Sequence, residues 1–326
     1  MSKHVVWGVA ALALCAAVPA GAADLPVKAV KAPVVAAPPS PFDIAFGAAI
    51  MNDYVFRGVT QSDHKPSVAA YFEPRYNITP NLQLYAGISG ESIKFANDAA
   101  AEIDFYGGVR PTIGPFAFDV GFWYYYYPGG TCFAGTPACP ATIPNGNVAK
   151  ADASFWEVYG KVTYTIGDVA LGANEYYSPN FLNTGAWGNY LSGTIKYTAP
   201  ERMGIGPFGW YVSAEFGRQW LGTSDAFYGT TIASPAGGGP FPNGIDYADY
   251  NTWNVGAGLT YKVFTLDLRY SDTDLSKADC NAFTSDPTAT FDGSFSPINP
   301  TGVGSKWCGA TFIAKLSADL TLGSLK

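Results

Sequence analysis

The sequence has little charge and almost no histidine. Only 14% of its 326 residues are charged, whereas an average soluble domain has about 25%. Of two histidines, only His64 lies beyond the first 23 residues. The sequence therefore predicts no zinc site and no enzyme, since one histidine would have to serve every acid–base role. The net charge of −7 argues against a nucleic-acid partner, and no metal or cofactor is predicted.

Long apolar runs are missing after the N-terminal segment. No later stretch reaches the roughly 18 apolar residues that a membrane-spanning helix needs, although aromatic residues make up 15% of the chain and there are 37 glycines. Residues 1–23 have the pattern of a secretory signal peptide, because Lys3 and His4 precede an apolar stretch at 5–18 that small residues follow. An exported chain rich in aromatic residues, without a spanning helix, favours an outer-membrane β-barrel; a secreted β-sandwich is the alternative.

The segment after the signal peptide differs from the rest of the chain. Residues 24–41, DLPVKAVKAPVVAAPPSP, include five prolines and no alternation of apolar and polar residues. We therefore expect an extended periplasmic leader. Residues 42–326 are expected to form a single all-β domain, a transmembrane antiparallel barrel.

Apolar and polar residues alternate along residues 42–326, as expected for strands with one face toward lipid and the other toward a wet lumen. At 66–78, Val68 and Phe72 fall on one face, whereas Glu73 and Arg75 fall on the other. The pattern predicts twelve strands, at about 42–58, 66–78, 82–89, 102–110, 116–122, 154–166, 168–177, 187–198, 208–220, 249–262, 264–271 and 307–320.

The connections between these strands alternate in length. Tight turns, such as those at Gly167 and Lys262, alternate with longer connections that include 128–153, 221–248 and 272–306. Short periplasmic turns and long extracellular loops are typical of outer-membrane barrels and place both ends of the domain in the periplasm. Four cysteines lie in or next to the long loops and are expected to form two local disulfides, although four cysteines allow three pairings: Cys132, Cys139, Cys280 and Cys308.

Several motifs occur in a fixed order: DYVFRGVTQSDHKPSV, LYAGISG, EIDFYGGV, FDVGFWYYYYPG and YSDTD. They resemble those of a bacterial outer-membrane family, the TorF-type porins, from about Phe42 to the end of the chain. The residues that match are Tyr54, Phe56, Arg57, Gly58, Gln61, Ser62 and Pro66 in the first motif and Asp104, Gly107 and Gly108 in a later one. The resemblance implies a barrel and suggests a pore.

The register of the first strand makes Arg57 informative. If the strand continues to residue 58, Tyr54 and Phe56 face lipid, whereas Asp53 and Arg57 face the lumen. An arginine on the lipid face at mid-membrane would cost about 2–4 kcal/mol. A bulge in this segment would reverse the assignment. In the run WYYYYPGG the same alternation places Tyr124 and Tyr126 in the outer aromatic girdle and Trp123, Tyr125 and Tyr127 inside.

The predicted inward face carries charges of both signs in nearly equal number. They are Glu73, Glu91, Glu102, Asp104, Asp119, Glu157, Glu215, Asp267, Asp319, Arg57, Arg75, Arg110, Lys161, Lys196, Lys262, Arg269 and Lys315. Those predicted to line a pore are Asp53, Arg57, Glu73, Arg75, Glu102, Asp104, Arg110, Asp119, Lys161, Glu215, Asp267 and Arg269. Such charges either conduct or pair across a narrow barrel and close it.

Three kinds of function follow from this sequence. The first is a porin for passive diffusion of small hydrophilic solutes or ions, surrounded by outer-membrane lipid, with homo-oligomer formation left open. The second is a closed barrel that is structural or binds a partner through its loops. The third, a lipase with His64 as base, is disfavoured because Ser62 and Asp63 are its sequence neighbours and point to opposite sides. A calcium loop at 272–283 is also disfavoured, because Lys277 and Phe283 replace its glycine and closing glutamate.

Overall fold

A computed structural model describes residues 41–325 and contains one closed barrel of twelve antiparallel strands. Each strand pairs with the next along the chain. The strands are β1 Phe42–Met51, β2 Ser67–Thr79, β3 Leu82–Glu91, β4 Glu102–Ile113, β5 Phe116–Tyr126, β6 Phe155–Ile166, β7 Val169–Ser178, β8 Gly188–Thr198, β9 Gly209–Leu221, β10 Tyr250–Tyr261, β11 Phe264–Thr273 and β12 Thr311–Thr321. The predicted signal peptide and all but the last residue of the predicted leader lie outside the described residues.

The first and last strands close the barrel. β1 pairs with β12 from Ala45 opposite Thr321 to Met51 opposite Lys315, and its other edge pairs with β2. No strand edge of the barrel is left open, so every wall strand has hydrogen-bonded neighbours on both sides. Only such closure satisfies the backbone of a sheet in lipid.

The two faces of the wall have opposite chemistry. On the outer face, Val68 and Phe72 are 56% and 47% exposed. On the inner face, Glu73 and Asp119 are 1% and 0% exposed. An apolar surface that surrounds a polar interior is unfavourable in water and suited to lipid. The predicted alternation is confirmed, and the protein is a β-barrel of the bacterial outer membrane.

The connections follow the predicted alternation. Those on one side are 80–81, 114–115, 167–168, 199–208 and 262–263. Those on the other side are 52–66, 92–101, 127–154, 179–187, 222–249 and 274–310. The short side corresponds to the periplasm. It also contains Lys262, which was predicted to face inward; the structure places it in an exposed turn with a φ of 54°, because β10 ends at Tyr261.

The extracellular loops contain short ordered elements. Two-stranded ribbons pair Phe133–Thr136 with Cys139–Pro140 and Thr290–Phe291 with Val303–Gly304. The α-helix of these loops, α1, spans Lys277–Thr284, and 3₁₀ turns occupy Phe181–Asn183 and Ala226–Tyr228. Two further 3₁₀ turns, Glu201–Met203 and Leu322–Leu325, lie on the periplasmic side. Disulfides join Cys132 to Cys139 and Cys280 to Cys308, which is the local pairing among the three considered.

The helices within residues 41–325 are all too short or too polar to cross a bilayer.

Candidate functional site

The segment between β1 and β2 enters the barrel instead of extending the wall. Val55–Phe56 pairs with Val59–Thr60, and we call Val55–Thr60 the plug hairpin. Its two-residue turn, Arg57 and Gly58, has φ values of 48° and 80°, which match a type I′ turn. A positive φ is uncommon for arginine and is often found where surrounding contacts hold a functional residue in place.

Arg57 extends from the tip of the plug hairpin to the opposite wall. Its guanidinium donates to both carboxylate oxygens of Glu157 on β6, at 2.9 and 2.7 Å, and to Oε1 of Gln219 on β9 at 3.1 Å. The two hydrogen bonds to the Glu157 carboxylate make a bidentate ion pair, which is the strongest hydrogen-bonding geometry between arginine and a carboxylate. The side chains of Arg57 and Glu157 are 4% and 0% exposed. We call this contact the Arg57 latch.

Aromatic rings surround the Arg57 latch. The guanidinium carbon lies 4.5 Å from the ring centre of Phe56, 4.9 Å from that of Tyr176 and 4.7 Å from that of Tyr190. Tyr125 donates to Glu157 at 3.2 Å. β6, β7, β8 and β9, which supply the partners on the wall, lie opposite β1 in the ring of strands. The plug hairpin therefore crosses the whole bore.

Polar side chains hold the two ends of the plug hairpin together. Asp53 Oδ1 accepts from Thr60 at 2.5 Å and from Ser62 at 3.2 Å. Its Oδ2 lies 2.7 Å from Nδ1 of His64 and accepts from Thr311 of β12 at 2.9 Å. We call residues 52–54 and 61–66 the hairpin root. Asp53 thus connects the root to the wall.

His64 is expected to stabilise the fold at acidic pH. Its hydrogen bond to Asp53 is the main influence that raises the pKa of His64 above 6.5. A raised folded-state pKa adds stability that is fully present below the unfolded pKa and is lost as pH rises through the folded pKa. His64 is 36% exposed, so we expect less than about 1 kcal/mol.

Urea unfolding of the wild type and of His64→Gln tests this expectation. The wild type should be the more stable at about pH 5.5, and the two should converge at about pH 9. A difference that is the same at both pH values would assign the effect of His64 to packing.

A second charged layer lies nearer the periplasm. Arg110 on β4 donates to both oxygens of Glu73, at 2.8 and 3.2 Å, and its Nε donates to Asp119 at 3.2 Å. Its guanidinium carbon is 3.5 Å from the ring centre of Tyr85, and Tyr85 donates to Asp119 at 2.5 Å. Arg75 Nε adds a contact to Glu73 at 2.5 Å. One half of the bore is therefore filled by paired charges and rings.

The other half of the bore contains a second network of polar groups. Arg269 on β11 contacts Asp267 at 3.1 Å, Asn254 at 2.5 Å and Ser213 at 3.0 Å. Its side chain is 18% exposed. Glu215 on this side is also only half-buried and accepts from Tyr190 at 3.1 Å. Water can therefore reach polar groups here.

The predicted pore-lining residues all lie inside the barrel, but two reach it by an unpredicted route. Glu73, Arg75, Glu102, Asp104, Arg110, Asp119, Lys161, Glu215, Asp267 and Arg269 lie on the inner face of wall strands. Asp53 and Arg57 come from the segment that leaves the wall after Met51. Whether any of these side chains lines a conducting pore stays a prediction.

The prediction that Tyr54 and Phe56 face lipid is wrong. Tyr54 is fully buried and donates to Glu102 at 2.7 Å. Phe56 packs edge-on to Tyr125 inside the bore, with ring centres 5.9 Å apart. The cause is the end of β1 at Met51, after which the chain turns inward. In the run at 123–127 the inward assignment is confirmed, because Trp123, Tyr125 and Tyr127 are buried, whereas Tyr126 is exposed and Tyr124 half-buried on the outer face.

The sequence did not indicate Gln219 as a partner of Arg57. Gln219 is fully buried, and its amide nitrogen donates to the carbonyl groups of Asn189 and Trp220 at 3.2 and 3.1 Å. These bonds turn its Oε1 toward Arg57. The sequence feature that could have indicated Gln219 is that it is an uncharged polar residue next to Trp220 and Leu221 at the end of β9.

A cavity of about 90 Å³ separates the plug hairpin from the extracellular loops. Its walls include rings of Phe56, Tyr127, Phe181, Tyr250 and Trp307, with Lys150 beside them. The volume holds several water molecules.

Among curated proteins, none is similar enough to count as a relative. Several solved structures are similar. A loop L8 deletion mutant of OmpT, an outer membrane protein of Vibrio cholerae, has 12% identity and a TM-score of 0.35 over 86% of this chain and 98% of that chain. LpxR from Salmonella typhimurium has 11% identity and a TM-score of 0.36 over 85% and 99%. A FadL homologue from Pseudomonas aeruginosa has 11% identity and a TM-score of 0.38 over 85% and 89%.

The family comparison covers most of the chain. The model of one bacterial family of unknown function, Gcw_chp, matches residues 35–295. This range includes the plug hairpin, the Arg57 latch and eleven of the twelve wall strands. The chain therefore belongs to the Gcw_chp family.

Proposed function

We propose that this protein is an outer-membrane channel for small hydrophilic solutes or ions, of the TorF type, and that the plug hairpin closes it in the conformation described above. The observation that carries the proposal is the Arg57 latch. A hairpin that is not part of the wall crosses the bore and is held on the far side by hydrogen bonds and an ion pair. The wall is complete without it.

The chemistry of the lumen supports a channel over a barrel filled only for stability. Well-packed apolar residues often stabilise an interior as much as buried ion pairs do, or more. This bore instead contains Arg110, Arg269 and their carboxylate partners. The half-buried residues beside Arg269 offer a polar path that the plug hairpin caps at the extracellular end. Withdrawal of the hairpin would expose charges of both signs to solvent.

Conductance in planar bilayers tests this proposal. Arg57→Met removes the charge and leaves Glu157 buried without its partner, which should disfavour the closed state by about 3–5 kcal/mol. The open probability is then expected to rise at least about 100-fold. The wild type should open rarely. Arg218→Met is the matched control, because Arg218 pairs with Asp249 at the rim and is 41% exposed; it should behave like the wild type.

A closed barrel that binds a partner is the second candidate. The ring-lined cavity of about 90 Å³ beneath the extracellular loops favours it, as does the filled layer around Arg110. If correctly folded wild type and Arg57→Met both lack stepwise conductance in repeated reconstitutions, the channel proposal is overturned in favour of this one.

A further inference from the structure

Three carboxylates meet at the extracellular end of the lumen. Glu91 ends β3, Glu102 begins β4, and the two are directly opposite each other in the strand register. Asp104 lies two residues beyond Glu102 and therefore points to the same face. Like charges that oppose each other across a strand pair are destabilising. The pairing therefore needs something that offsets the repulsion.

The described residues place no basic group beside this cluster. Glu91, Glu102 and Asp104 are 5%, 1% and 0% exposed, and none of them forms a salt bridge with a described Lys, Arg or His. The donors that reach the cluster are neutral. Tyr54 and Tyr127 donate to Glu102 at 2.7 and 3.0 Å. Such donors leave the negative charge uncompensated.

Two oxygens of the cluster lack any hydrogen-bond partner. They are Oε2 of Glu91 and Oδ1 of Asp104, both fully buried. The other oxygen of Asp104 accepts from Ser89 at 2.9 Å, which holds the side chain in place, and the buried indole N–H of Trp123, a neutral donor, also makes no hydrogen bond. A buried carboxylate oxygen without a partner is costly. This is a separate indication that the cluster binds a ligand with positive charge.

We infer that Glu91, Glu102 and Asp104 form a binding site for one divalent cation of the calcium type. Carboxylate oxygens are the ligands that hard cations prefer. The ligand oxygens lie within 4.8 Å of one another, so there is a point no more than about 2.8 Å from all three, close to the length of a calcium–oxygen contact. Calcium–oxygen distances are about 2.3–2.6 Å, whereas magnesium needs about 2.0–2.1 Å and near-ideal octahedral geometry.

The site also contacts the hairpin root. Tyr54 belongs to the root, and its hydroxyl group donates to Glu102. A bound cation would fix the carboxylate to which the root is attached. The inference does not depend on channel activity, since the same three carboxylates need compensation in a closed barrel.

Terbium luminescence of the full-length protein in detergent tests the inference. Tyr54 and Tyr127 are bonded to a proposed ligand, so excitation of tyrosine should sensitise bound Tb³⁺. We expect saturable emission from one site per chain, displaced by Ca²⁺ at concentrations at least about tenfold lower than by Mg²⁺. Glu91→Gln and Asp104→Asn should each weaken binding at least tenfold. Glu215→Gln, a lumen carboxylate on the opposite wall, is the control and should bind as the wild type does.

Thermal unfolding gives a second test, which can be made on the wild-type protein alone. The wild type should unfold several degrees lower in EGTA than in Ca²⁺, because the repulsion is then uncompensated. Asp104→Asn should narrow that gap by raising the midpoint in EGTA. The inference is overturned if the wild type gives no saturable emission, or if the wild type and both cluster variants give equal emission. Equal wild-type unfolding midpoints in EGTA and in Ca²⁺ would also overturn it. Carboxyl groups that share protons would then be the remaining explanation.

Discussion

Replacement of Arg57 by methionine is expected to lower the free energy of unfolding of the closed barrel by about 3–5 kcal/mol. Methionine keeps most of the side-chain volume but removes the charge, so that Glu157, which is 0% exposed, stays buried without a cation. The remaining donor, Tyr125, is neutral. The measurement is urea unfolding in lipid vesicles, followed by tryptophan fluorescence.

A double-mutant cycle separates the Arg57–Glu157 pair from its surroundings. The double variant Arg57→Met/Glu157→Gln should lose less free energy of unfolding, relative to the wild type, than Arg57→Met alone, because no uncompensated charge remains. Arg218→Met is the control and should cost less than about 1 kcal/mol, as expected for an exposed pair. A loss for Arg57→Met no greater than that of the control would contradict the account.

Replacement of Arg110 by methionine should cost at least as much, about 3–5 kcal/mol. Arg110 compensates two buried carboxylates, Glu73 and Asp119, at distances of 2.8 and 3.2 Å. Arg75 would still contact Glu73, whereas Asp119 would lose its contact with the Arg110 guanidinium and keep the hydrogen bond from Tyr85. The same urea titration measures this loss.

Arg110→Lys is the informative companion variant. Lysine keeps the charge but lacks the planar fork that contacts Glu73 and Asp119 together. We therefore expect the free energy of unfolding of Arg110→Lys to lie between those of the wild type and of Arg110→Met. If the lysine and methionine variants were equally stable, charge compensation would not be the main contribution of Arg110.

The strands were predictable because lipid imposes a strict alternation on them. Val68 and Phe72 face outward and Glu73 faces inward, since each reversal would place a charge in hydrocarbon or an apolar ring in the polar bore. The ends of the strands were less predictable. β1 was extended to residue 58 because Tyr54 and Phe56 continue its period of two, although the wall ends at Met51.

The plug hairpin had a local signal that the alternation concealed. Val55–Phe56 and Val59–Thr60 are short β-forming pairs separated by two residues, of which the second is Gly58. This spacing is typical of a tight hairpin. Its position inside the barrel is not a local property. It depends on partners, such as Gln219, that are brought near only when the barrel closes.

Contacts across the lumen could not be read from periodicity. Alternation indicates that Glu157 and Arg57 are both inside, but which inward residues meet depends on the stagger of the whole barrel. The carboxylate cluster lies between these cases. Glu91 and Glu102 flank one loop, so their pairing could be predicted from the ends of two neighbouring strands, whereas the contact of Tyr54 with Glu102 requires the chain to turn inward after Met51.

Disulfide trapping tests the central claim, that the plug hairpin occupies the bore, most directly. A Cβ atom built on Gly58 would lie 3.2 Å from Cβ of Thr252 on β10 and would overlap Cγ2 of Thr273. The usual Cβ–Cβ distance across a disulfide is about 3.5–4.5 Å, so the Thr273 side chain must turn away, and Thr273→Ala is added to the double-cysteine variant to make that room. In Gly58→Cys/Thr252→Cys, oxidised in intact outer membranes, mass spectrometry should find most chains cross-linked between these positions, with both native disulfides retained. Two free thiols that react with an impermeant maleimide in the folded barrel would contradict the account.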